Sequence, residues 1–431
     1  MTTRRNLLKS ASAAAAGFPT IVKASALGLN GAVPASDRVT LATIGVGWMG
    51  GDHVKLFLKI PDAHYVAVCD VDDDHAKAAK ALIDERYGNN DCVTYRAFEE
   101  LLSRRDIDAV TIAVPDHWHG IVAYSAARAG KDIYCEKPLA HNLAEGRAMA
   151  DAAAKYKRIW QTGSWQRSTP NFRQACELVR NGRIGKVRRI EVGLPPGWTD
   201  FAKTKDQTAI TDPPASVDYD RWIGPAQEMP FIMARFHKNW RWNLNTGGGQ
   251  IMDWVGHHVD IAHWGMGWDN TGPTEVDGTG EYPEPTAVWN TAGKYWVNCK
   301  YGDVTMVQAG GYPEITGGTK WIGDDGWIWA NRGKIDASNK EWLEPEADTG
   351  PIKLPASNDH YAQFIACVKS RKETLTPAHV ALRSATPGWL GQIAMLTGRK
   401  IRWDPQTMQI VDDPGAAKML SREHRMPWHL G

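Results

Sequence analysis

The sequence predicts an α/β protein, in which an N-terminal doubly wound parallel sheet precedes a C-terminal α+β domain with a mostly antiparallel sheet. Three observations support this prediction. Strand-like and helix-like segments alternate through the first third of the chain, a glycine-rich turn follows the first strand, and strands follow one another directly in the second half. With 431 residues, the chain is long enough for more than one domain.

Composition and charge narrow the possible partners. The formal net charge is +1, whereas binding to nucleic acid needs a concentrated basic surface, so no nucleic-acid partner is expected. No apolar run reaches the length of about 18 residues that a membrane-spanning helix needs, so we expect no integral membrane segment. The 6 cysteines are scattered without a CxxC pair, which argues against a zinc or disulfide framework.

Residues 1–35 have the pattern of an export signal. The stretch "TRRNLLK" fits the twin-arginine motif, and an alanine-rich apolar run too short to span a membrane follows it. A disordered basic tail is the alternative. We predict export by the twin-arginine route to the periplasm, with the folded part of the chain beginning after residue 35.

The first predicted strand leads into a glycine-rich turn in "RVTLATIGVGWMGGDHVKLFLKI". Gly45 permits a tight turn, Gly47 lets the backbone approach a pyrophosphate, and Gly50 lets the following helix pack against the strand. The helix N-terminus adds N–H groups and positive potential. The motif therefore predicts a dinucleotide site, and we expect Trp48 and Met49 of the same turn to contribute to it.

Asp70 ends the second predicted strand, "HYVAVCD", at the usual distance after the glycine-rich turn. A carboxylate at this point accepts hydrogen bonds from the adenosine ribose and repels a 2′-phosphate. The sequence thus favours NAD over NADP. The alternative is that Asp70 caps the next helix.

Strands and helices continue to alternate along the chain. The predicted strands are "IDAVTIAVP", "DIYCEKP" and "RIWQTGS", and the predicted helices between them are "GIVAYSAARAG" and "LAEGRAMADAAAKYK". Ligands of doubly wound sheets bind beyond the carboxyl ends of the strands. Side chains that follow these strands are therefore expected near the nicotinamide: Pro115, Asp116, His119, Glu136 and Lys137. For His119, a role in capping the helix is the alternative.

These segments define an NAD-binding Rossmann domain over residues 36–168, and residues 169–431 form the second predicted domain. Thr169 caps a helix there, and "KVRRIEVGL", "AVWNTAGKYWVNCKYG", "VTMVQAGG" and "TKWIGDDGWIWANRG" follow as strands. The ending "GQIAMLTGRKIRWDP" is interpreted as a helix and a tail that pack back on the first domain or on a partner subunit.

The irregular stretch "RFHKNWRWN" is a candidate wall of a substrate site. Trp240 or Trp242 could stack on a sugar ring, and Arg167 or Arg241 could bond sugar hydroxyls. For each of these side chains, packing in the core is the alternative.

The segment "GGGQIMDWVGHHVDIAHW" predicts a helix over residues 250–264, entered from a glycine-rich turn. A spacing of four places Asp253 and His257 on one face, and Asp260 continues that face. A metal site that combines these residues with His263 is disfavoured, because no HExxH pattern occurs and the set lacks a distinctive ligand geometry. The sequence therefore predicts no metal.

Together with the glycine-rich turn, the motifs "YCEKPLAHN", "VPDHWH" and "GGGQIMDWVGHHVD" resemble the Gfo/Idh/MocA family of oxidoreductases. The resemblance implies hydride transfer between NAD(P) and a carbohydrate or cyclitol, and a homo-oligomer, either a dimer or a tetramer, formed through the C-terminal sheet. It also implies that the lysine of the family's Glu-Lys-Pro motif, often followed by a cis bond, is Lys137. The family's aspartate and histidine fall on Asp253 and His257, although the glycine expected at Val255 comes one residue later, at Gly256.

The chemistry of alcohol oxidation assigns roles to these residues. His257 is suited to accept the hydroxyl proton, because an imidazole titrates near neutrality. Asp253 could orient it, and Lys137 would stabilise alkoxide character on the reacting oxygen. The predicted substrate contacts are accordingly Lys137, Arg167, Trp240, Asp253 and His257.

The sequence thus predicts an exported NAD-dependent dehydrogenase for a secondary hydroxyl of a sugar, glycoside or cyclitol. Export removes the protein from the cytoplasmic NAD pool, so we expect the cofactor to be held tightly. The first alternative is a redox-assisted glycoside hydrolase that oxidises C3 transiently. The second is a noncatalytic sugar- or nucleotide-binding protein on the same scaffold.

Overall fold

A computed structural model describes residues 33–344 and 348–430. Residues 1–32, which carry the twin-arginine motif, lie outside the described residues. The described chain contains a six-stranded sheet followed by a nine-stranded sheet. This arrangement confirms the predicted fold class.

The first sheet is fully parallel, with strand order β3-β2-β1-β4-β5-β6. Its strands are β1 (Val39–Ile44), β2 (Ala63–Cys69), β3 (Val93–Tyr95), β4 (Ala109–Ile112), β5 (Asp132–Cys135) and β6 (Trp160–Thr162). Its helices are α1 (Trp48–Phe57), α2 (Asp73–Tyr87), α3 (Phe98–Ser103), α4 (Asp116–Arg128) and α5 (Leu143–Lys155). The order reverses at β1, and the crevice beyond the carboxyl ends of β1 and β4 is where such sheets bind ligands.

The local sequence accounts for where α2 begins and ends. The side chain of Asp72 accepts a hydrogen bond from the backbone N–H of Asp74 and so caps the helix, and Gly88 ends it in a left-handed conformation. The capping residue is therefore Asp72, and the alternative interpretation of Asp70 as the cap is wrong. This leaves the carboxylate of Asp70 at the end of β2 facing the crevice.

The second sheet has the order β13-β12-β11-β7-β10-β9-β8-β14-β15, and β7 and β10 form its parallel pair. Its strands are β7 (Val187–Gly193), β8 (Glu275–Glu281), β9 (Lys294–Tyr301), β10 (Val304–Gly310), β11 (Gly318–Gly323), β12 (Trp327–Asn331), β13 (Lys334–Ala337), β14 (Ile401–Asp404) and β15 (Gln409–Ile410). Strands β8, β13, β14 and β15 are not among the predicted ones. The interpretation of the C-terminal segment as a helix followed by a tail is wrong at β14, because this part of the chain is a strand whose backbone pairs with β8.

The remaining helices are α6 (Pro170–Arg180), α7 (Tyr219–Ile223), α8 (Gly249–Trp254), α9 (Asp260–Met266), α10 (His360–Ser370), α11 (Ala378–Thr397) and α12 (Pro414–Lys418). Between α8 and α9 the chain forms a π-helical segment, Val255–Val259. The predicted continuous helix over residues 250–264 is therefore wrong in its middle. A π-turn shifts every later side chain around the axis, so Asp260 does not continue the face that carries Asp253.

The C-terminal segments pack on the parallel sheet. Phe364 of α10 lies edge-on against Phe57 and Tyr134, and the closing tail places Trp428 edge-on against Trp118 of α4. Within residues 33–344 and 348–430, no helix combines the length and apolarity that crossing a bilayer would require.

Candidate active site

A cavity of about 490 Å³ lies beyond the carboxyl ends of the parallel strands. Both domains contribute to its wall. The parallel-sheet domain supplies one side, and a segment of the C-terminal domain within residues 237–241 closes the other. The predicted cofactor residues on its wall are Gly45, Gly47, Trp48, Met49, Asp70, Pro115, Asp116, His119, Glu136 and Lys137. Gly50 lies behind this wall, in the contact between helix and strand.

The glycine-rich turn has the backbone geometry that its sequence predicts. Gly45 has a φ of 80°, and a Cβ on it would lie 2.7 Å from the carbonyl oxygen of Ala113. A Cβ on Gly50 would lie 1.8 Å from the carbonyl oxygen of Gly45. Neither position can hold a side chain without moving the backbone, so the turn stays tight and the first N–H groups of α1 remain open to the cavity.

Asp70 is held in place by the backbone. Its carboxylate accepts hydrogen bonds from the N–H groups of Val46 (2.7 Å) and Asp72 (2.9 Å). The imidazole of His75 lies 3.7 Å from the same carboxylate. Hydrogen bonding to Asp70 raises the pKa of His75, although burial opposes the shift.

The same corner contains a group that the sequence analysis did not single out. Asp72, His75 and His237 each bring one potential ligand atom within 4.8 Å of the others. Among the described residues, this is the cluster whose geometry could hold a metal ion, and it does not include Asp253 or His257. The sequence indicates only part of this cluster, namely a histidine three residues after Asp72. His237 lies in a loop far away in the sequence, so spacing could not predict its position.

Lys137 reaches from the end of β5 to the C-terminal domain. Its Nζ donates to the carboxylate of Asp253 at 3.0 Å and to the carbonyl oxygen of the same residue at 2.9 Å. The bond between Lys137 and Pro138 is cis, as the family resemblance suggested. The two residues come from different domains, so this pair joins the floor of the cavity to the helix that carries the histidines.

Arg241 completes the charge balance around Asp253. Its Nε donates to the same carboxylate oxygen at 3.0 Å. Burial disfavours the charged carboxylate, but the positive charges of Lys137 and Arg241 outweigh it and lower the pKa of Asp253 to about 2. The structure therefore brings Asp253 together with two cations and not with an imidazole.

His257 lies beside this ion cluster but makes no hydrogen bond with Asp253. Its Nδ1 is buried and has no partner among the described residues. Burial, followed by the positive charges of Lys137 and Arg332, lowers the pKa of His257 well below 6.5. Two expectations are corrected: Asp253 contacts Lys137 rather than His257, and the pKa of His257 lies well below neutrality, because burial and then the neighbouring cations disfavour the protonated imidazole.

The neighbouring His258 points elsewhere. Its ring stacks on Trp254, and its Nδ1 lies 3.4 Å from the hydroxyl of Thr319 and 3.5 Å from the side chain of Gln166. These contacts place His258 in the core, toward β11. Of the two adjacent histidines, His257 is thus the one that faces the lysine.

The π-helical segment explains the displaced glycine in the motif. A Cβ on Gly256 would lie 2.7 Å from the Cβ of Lys137, so only glycine lets the lysine stem pack across this turn. The extra residue of the π-turn carries the glycine one position further along the chain, and His257 remains close enough for the charge of Lys137 to lower its pKa. π-turns within helices are often found at functional sites.

Glu136 and His119 line the cavity and are held in place by contacts with buried groups. The carboxylate of Glu136 lies 2.8 Å from Nε2 of the buried His53. The two ring nitrogens of His119 lie 2.8 Å and 2.9 Å from the carbonyl oxygens of Pro138 and Val114. His119 therefore ties the loop after β4 to the loop after β5 and does not cap its helix.

Asp116, the first residue of α4, is a buried carboxyl close to the ion cluster. One of its oxygens has no hydrogen-bond partner among the described residues. Burial raises the pKa of Asp116 well above its usual range, although the charge of Arg241 opposes the shift. A neutral carboxyl at this place can donate a hydrogen bond into the cavity.

Arg167 is not a substrate residue. Its guanidinium is only 2% exposed and makes paired hydrogen bonds with the carboxylates of Asp260 and Asp269 at 2.7 to 3.2 Å. Each of its three nitrogens bonds one of these carboxylates, and Arg167 does not line the cavity. The prediction is wrong because the partners lie far away in the sequence, and Arg241 is the arginine that lines the cavity.

Of the two candidate tryptophans, Trp240 lines the cavity and Trp242 does not. The ring of Trp242 is fully buried, and its Nε1 donates to the carbonyl oxygen of Thr199. The guanidinium of Arg241 lies 4.4 Å from the ring of Trp240. Trp240 and Arg241 thus form a cationic–aromatic wall next to Asp253.

Family models match both halves of the chain. The model described as an oxidoreductase family NAD-binding Rossmann fold matches residues 39–164, and the model of the same family's C-terminal alpha/beta domain matches residues 163–430. The chain belongs to the Gfo/Idh/MocA family of oxidoreductases.

Individual members of this oxidoreductase family match in part. Myo-inositol 2-dehydrogenase of Thermotoga maritima is 33% identical over 227 residues, which cover 53% of this chain and 54% of that protein. A glycosyl hydrolase family 109 protein of Saccharopolyspora erythraea is 31% identical over 202 residues, 43% of this chain and 44% of that protein. The chain spans about half the length of the curated relatives it matches.

Solved structures agree on the fold. The WlbA dehydrogenase of Bordetella pertussis, in complex with NADH and UDP-GlcNAcA, has a TM-score of 0.63 at 16% identity and covers 85% of this chain and 99% of that one. At this identity the likeness shows that the two chains share a fold.

Proposed function

We propose that this protein is an NAD-dependent dehydrogenase that transfers a hydride between the nicotinamide and a secondary hydroxyl of a sugar, glycoside or cyclitol. The observation that carries the proposal is the pairing of Asp253 with Lys137, which lines the cavity, together with the nearby His257, whose buried Nδ1 has no partner among the described residues. Family membership and the inositol dehydrogenase relative support the same conclusion.

The chain's own residues fit a dinucleotide. Close packing of Gly45 and Gly50 against the backbone keeps the turn tight, and Gly45, Gly47 and Trp48 at the start of α1 line the cavity. Asp70 presents a carboxylate at the position where an adenosine ribose would lie, which favours NAD over NADP. Lys238 and Arg241 both lie over the ring of Trp48, where they would face the dinucleotide's phosphates and its nicotinamide half.

When bound, the nicotinamide supplies the acceptor for the hydride that leaves the carbinol carbon. The ammonium of Lys137, held by Asp253, would donate a hydrogen bond to the substrate oxygen and stabilise its alkoxide character. His257, kept neutral by its surroundings, would accept the hydroxyl proton. Asp253 acts through Lys137, since it fixes the position of the ammonium.

The low pKa of His257 has a consequence for catalysis. An imidazole that resists protonation is a weak base, so proton removal depends on Lys137 lowering the pKa of the substrate hydroxyl. The base form, however, is present throughout the neutral range. We expect kcat/KM to stay flat as the pH falls through 6.5, and to decline only well below it.

The proposed function is tested by adding sugars and cyclitols to the NAD-loaded protein and following the absorption band of reduced nicotinamide. Wild-type protein should develop the band with at least one secondary alcohol. His257→Ala should slow its appearance on the order of a hundredfold or more, because a general base is lost. His258→Ala is the matched control, and an equal loss in both variants would contradict the assignment of His257.

A second candidate function is redox-assisted glycoside cleavage, which the family 109 glycosyl hydrolase relative supports. In this scheme C3 would be oxidised by hydride transfer to NAD, the acidified C2 proton would be removed and the C1–aglycone bond would break; water would then add at C1 with a proton returning to C2, and the hydride would return from the cofactor to C3. Release of an aglycone without net NADH, together with solvent deuterium at C2, would establish it. Net NADH formation in proportion to product would favour simple oxidation.

A noncatalytic sugar- or nucleotide-binding role is disfavoured by the Lys137, Asp253 and His257 arrangement. The buried Nδ1 of His257 has no partner among the described residues, and an unsatisfied buried polar atom lowers the stability of the fold. A catalytic role of the imidazole would account for this cost, whereas sugar or nucleotide binding alone would not.

We further propose that the protein is exported by the twin-arginine route to the periplasm, holds its NAD tightly and forms a dimer or tetramer. The twin-arginine pattern in residues 1–35 supports export, and the absence of an external NAD pool supports retention. Protein purified from the periplasmic fraction should carry bound nucleotide. Purification without nucleotide, combined with weak affinity for added NAD, would contradict retention.

A further inference from the structure

A cation lies at the side of the proposed catalytic base and takes no part in the mechanism above. Arg332 occupies the turn between β12 and β13, and its guanidinium lies 4.8 Å from the ring centre of Trp165 and 4.6 Å from that of Trp254. Both indoles also contact the ring of His257, at centroid distances of 6.2 Å and 5.4 Å. Arg332 therefore lies next to the imidazole and contacts the same two indoles.

Among residues 33–344 and 348–430, no carboxylate forms a hydrogen bond or ion pair with this guanidinium. Its Nε donates to the side-chain oxygen of Gln166 at 3.2 Å, and within the described part of the chain its terminal nitrogens bond no residue. Asp253, the carboxylate whose charge acts on it, is already shared by Lys137 and Arg241. Burial lowers the pKa of Arg332, because removing the charged guanidinium from water costs free energy. A bound anion would offset this desolvation cost.

The geometry around Arg332 selects the kind of anion. The two indoles lie against the guanidinium, and Gln166 accepts a hydrogen bond from its Nε, whereas its two terminal nitrogens bond no described residue. That edge matches the two oxygens of a planar carboxylate in a paired hydrogen-bond arrangement. The neighbouring indole faces suit the apolar face of a sugar ring.

We propose that the substrate carries a carboxylate, as a uronic acid glycoside or another sugar acid does, and that Arg332 binds it while His257 and Lys137 act on a secondary hydroxyl. The proposal rests on the proposed dehydrogenase function. It adds the class of substrate and a residue that selects it. In this arrangement the carboxylate at Arg332 and the hydroxyl at His257 and Lys137 would be the two groups by which the site orients the sugar.

The experiment measures binding of three ligands to the NAD-loaded protein by calorimetry: a methyl glucuronide, the matching methyl glucoside and glucose 6-phosphate. Wild-type protein should bind the glucuronide about 10- to 100-fold more tightly than the glucoside, the gain typical of hydrogen bonds to a charged group. Arg332→Gln should remove this preference, and Arg332→Lys should restore part of it, because lysine keeps the charge but not the paired geometry. Arg188→Gln, on an exposed arginine of β7, is the matched control and should leave the ratio unchanged.

Equal binding of glucuronide and glucoside, a ratio that survives Arg332→Gln, or failure of all three ligands to bind would overturn the proposal. Preference for the phosphate would show an anion site but would overturn the assignment to carboxylates. These outcomes are separate from failure of the proposed function. If the protein oxidises neutral sugars without preferring acids, only this inference fails; if no alcohol reduces the bound NAD, the dehydrogenase function fails.

Discussion

Two aspartates of one helical stretch, Asp253 and Asp260, are both paired with cations but serve different purposes. Asp260 and its partner Arg167 are each 2% exposed and join through paired hydrogen bonds, with Asp269 on the remaining donors. Asp253 and its partners Lys137 and Arg241 are 12–13% exposed, and the two cations line the cavity although Asp253 does not. The first cluster is closed on itself, whereas the second keeps a cation directed at open space.

The comparison shows how a structural ion pair differs from a functional one. In the closed cluster each of the three guanidinium nitrogens has a carboxylate partner, and the side chain is buried away from the cavity. In the open cluster, Lys137 can form another hydrogen bond and an unpartnered imidazole lies next to it. Burial of charge alone does not distinguish the two clusters, but unused hydrogen-bonding capacity does.

The closed cluster should show the largest effect on stability. Arg167→Met leaves the carboxylate of Asp260 buried without its partner, and we expect the free energy of unfolding to fall by about 3–5 kcal/mol. Urea denaturation measures this loss. Arg188→Met, at an exposed pair with Asp324, is the control and should cost far less, because exposed ion pairs contribute little. If Arg167→Met left stability intact but abolished sugar binding, the distinction between the clusters would be wrong.

The open cluster should show its largest effect on turnover. Lys137→Met removes the donor to the reacting oxygen, and we expect kcat to fall about 100- to 1000-fold, the usual cost of losing one such donor. Steady-state kinetics with the best substrate of the panel measures it, and circular dichroism checks the fold. Lys59→Met, on an exposed lysine, is the control. A loss below about threefold in Lys137→Met would remove the lysine from the mechanism.

The open cluster also makes stability depend on pH. The pKa of Asp253 is lowered to about 2 in the folded protein, so its contribution is fully present above the unfolded value near 3.8 and is lost as the pH falls toward 2. This contribution amounts to about 2 kcal/mol. Urea denaturation of wild-type protein and Asp253→Asn should therefore give a stability difference that shrinks between pH 5 and pH 2. A difference independent of pH would contradict the charge pairing.

The smallest expected effect lies at the other end of the cavity. Asp70→Asn removes the negative charge that would repel a 2′-phosphate, and we expect the preference for NAD over NADP to fall about tenfold. Fluorescence titration with both reduced cofactors measures the ratio. Asp74→Asn, on the exposed side of α2, is the control. An unchanged ratio in Asp70→Asn would place cofactor selection on other residues, such as His75 or His237.

The parallel half of the fold was predictable because its signals are local. The turn at Gly45–Gly50, the alternation of strands and helices and the motif around Lys137 all lie within short stretches of sequence. Strand β14 was not predictable, since its partner β8 is more than 100 residues away and contributes only a short pairing.

The candidate site was predictable only in part for the same reason. Spacing selected Asp253 and His257, but it could not show that Asp253 pairs with Lys137, because that contact joins two domains. Arg167 was assigned to the substrate because nothing near it in the sequence reveals Asp260 and Asp269. The displaced Gly256 is the local sign of the π-turn in the sequence. The reason for the glycine lies in the other domain, because the stem of Lys137 packs against this turn.

The most direct test of the account is a crystal structure of the protein with NAD and an unreactive analogue of its substrate. The account predicts that Nζ of Lys137 and a ring nitrogen of His257 both lie within about 3.2 Å of the oxygen that replaces the reacting hydroxyl. Its carbon should lie about 3–3.5 Å from C4 of the nicotinamide. A complex in which the nicotinamide occupies the cavity while the sugar contacts neither side chain would contradict it.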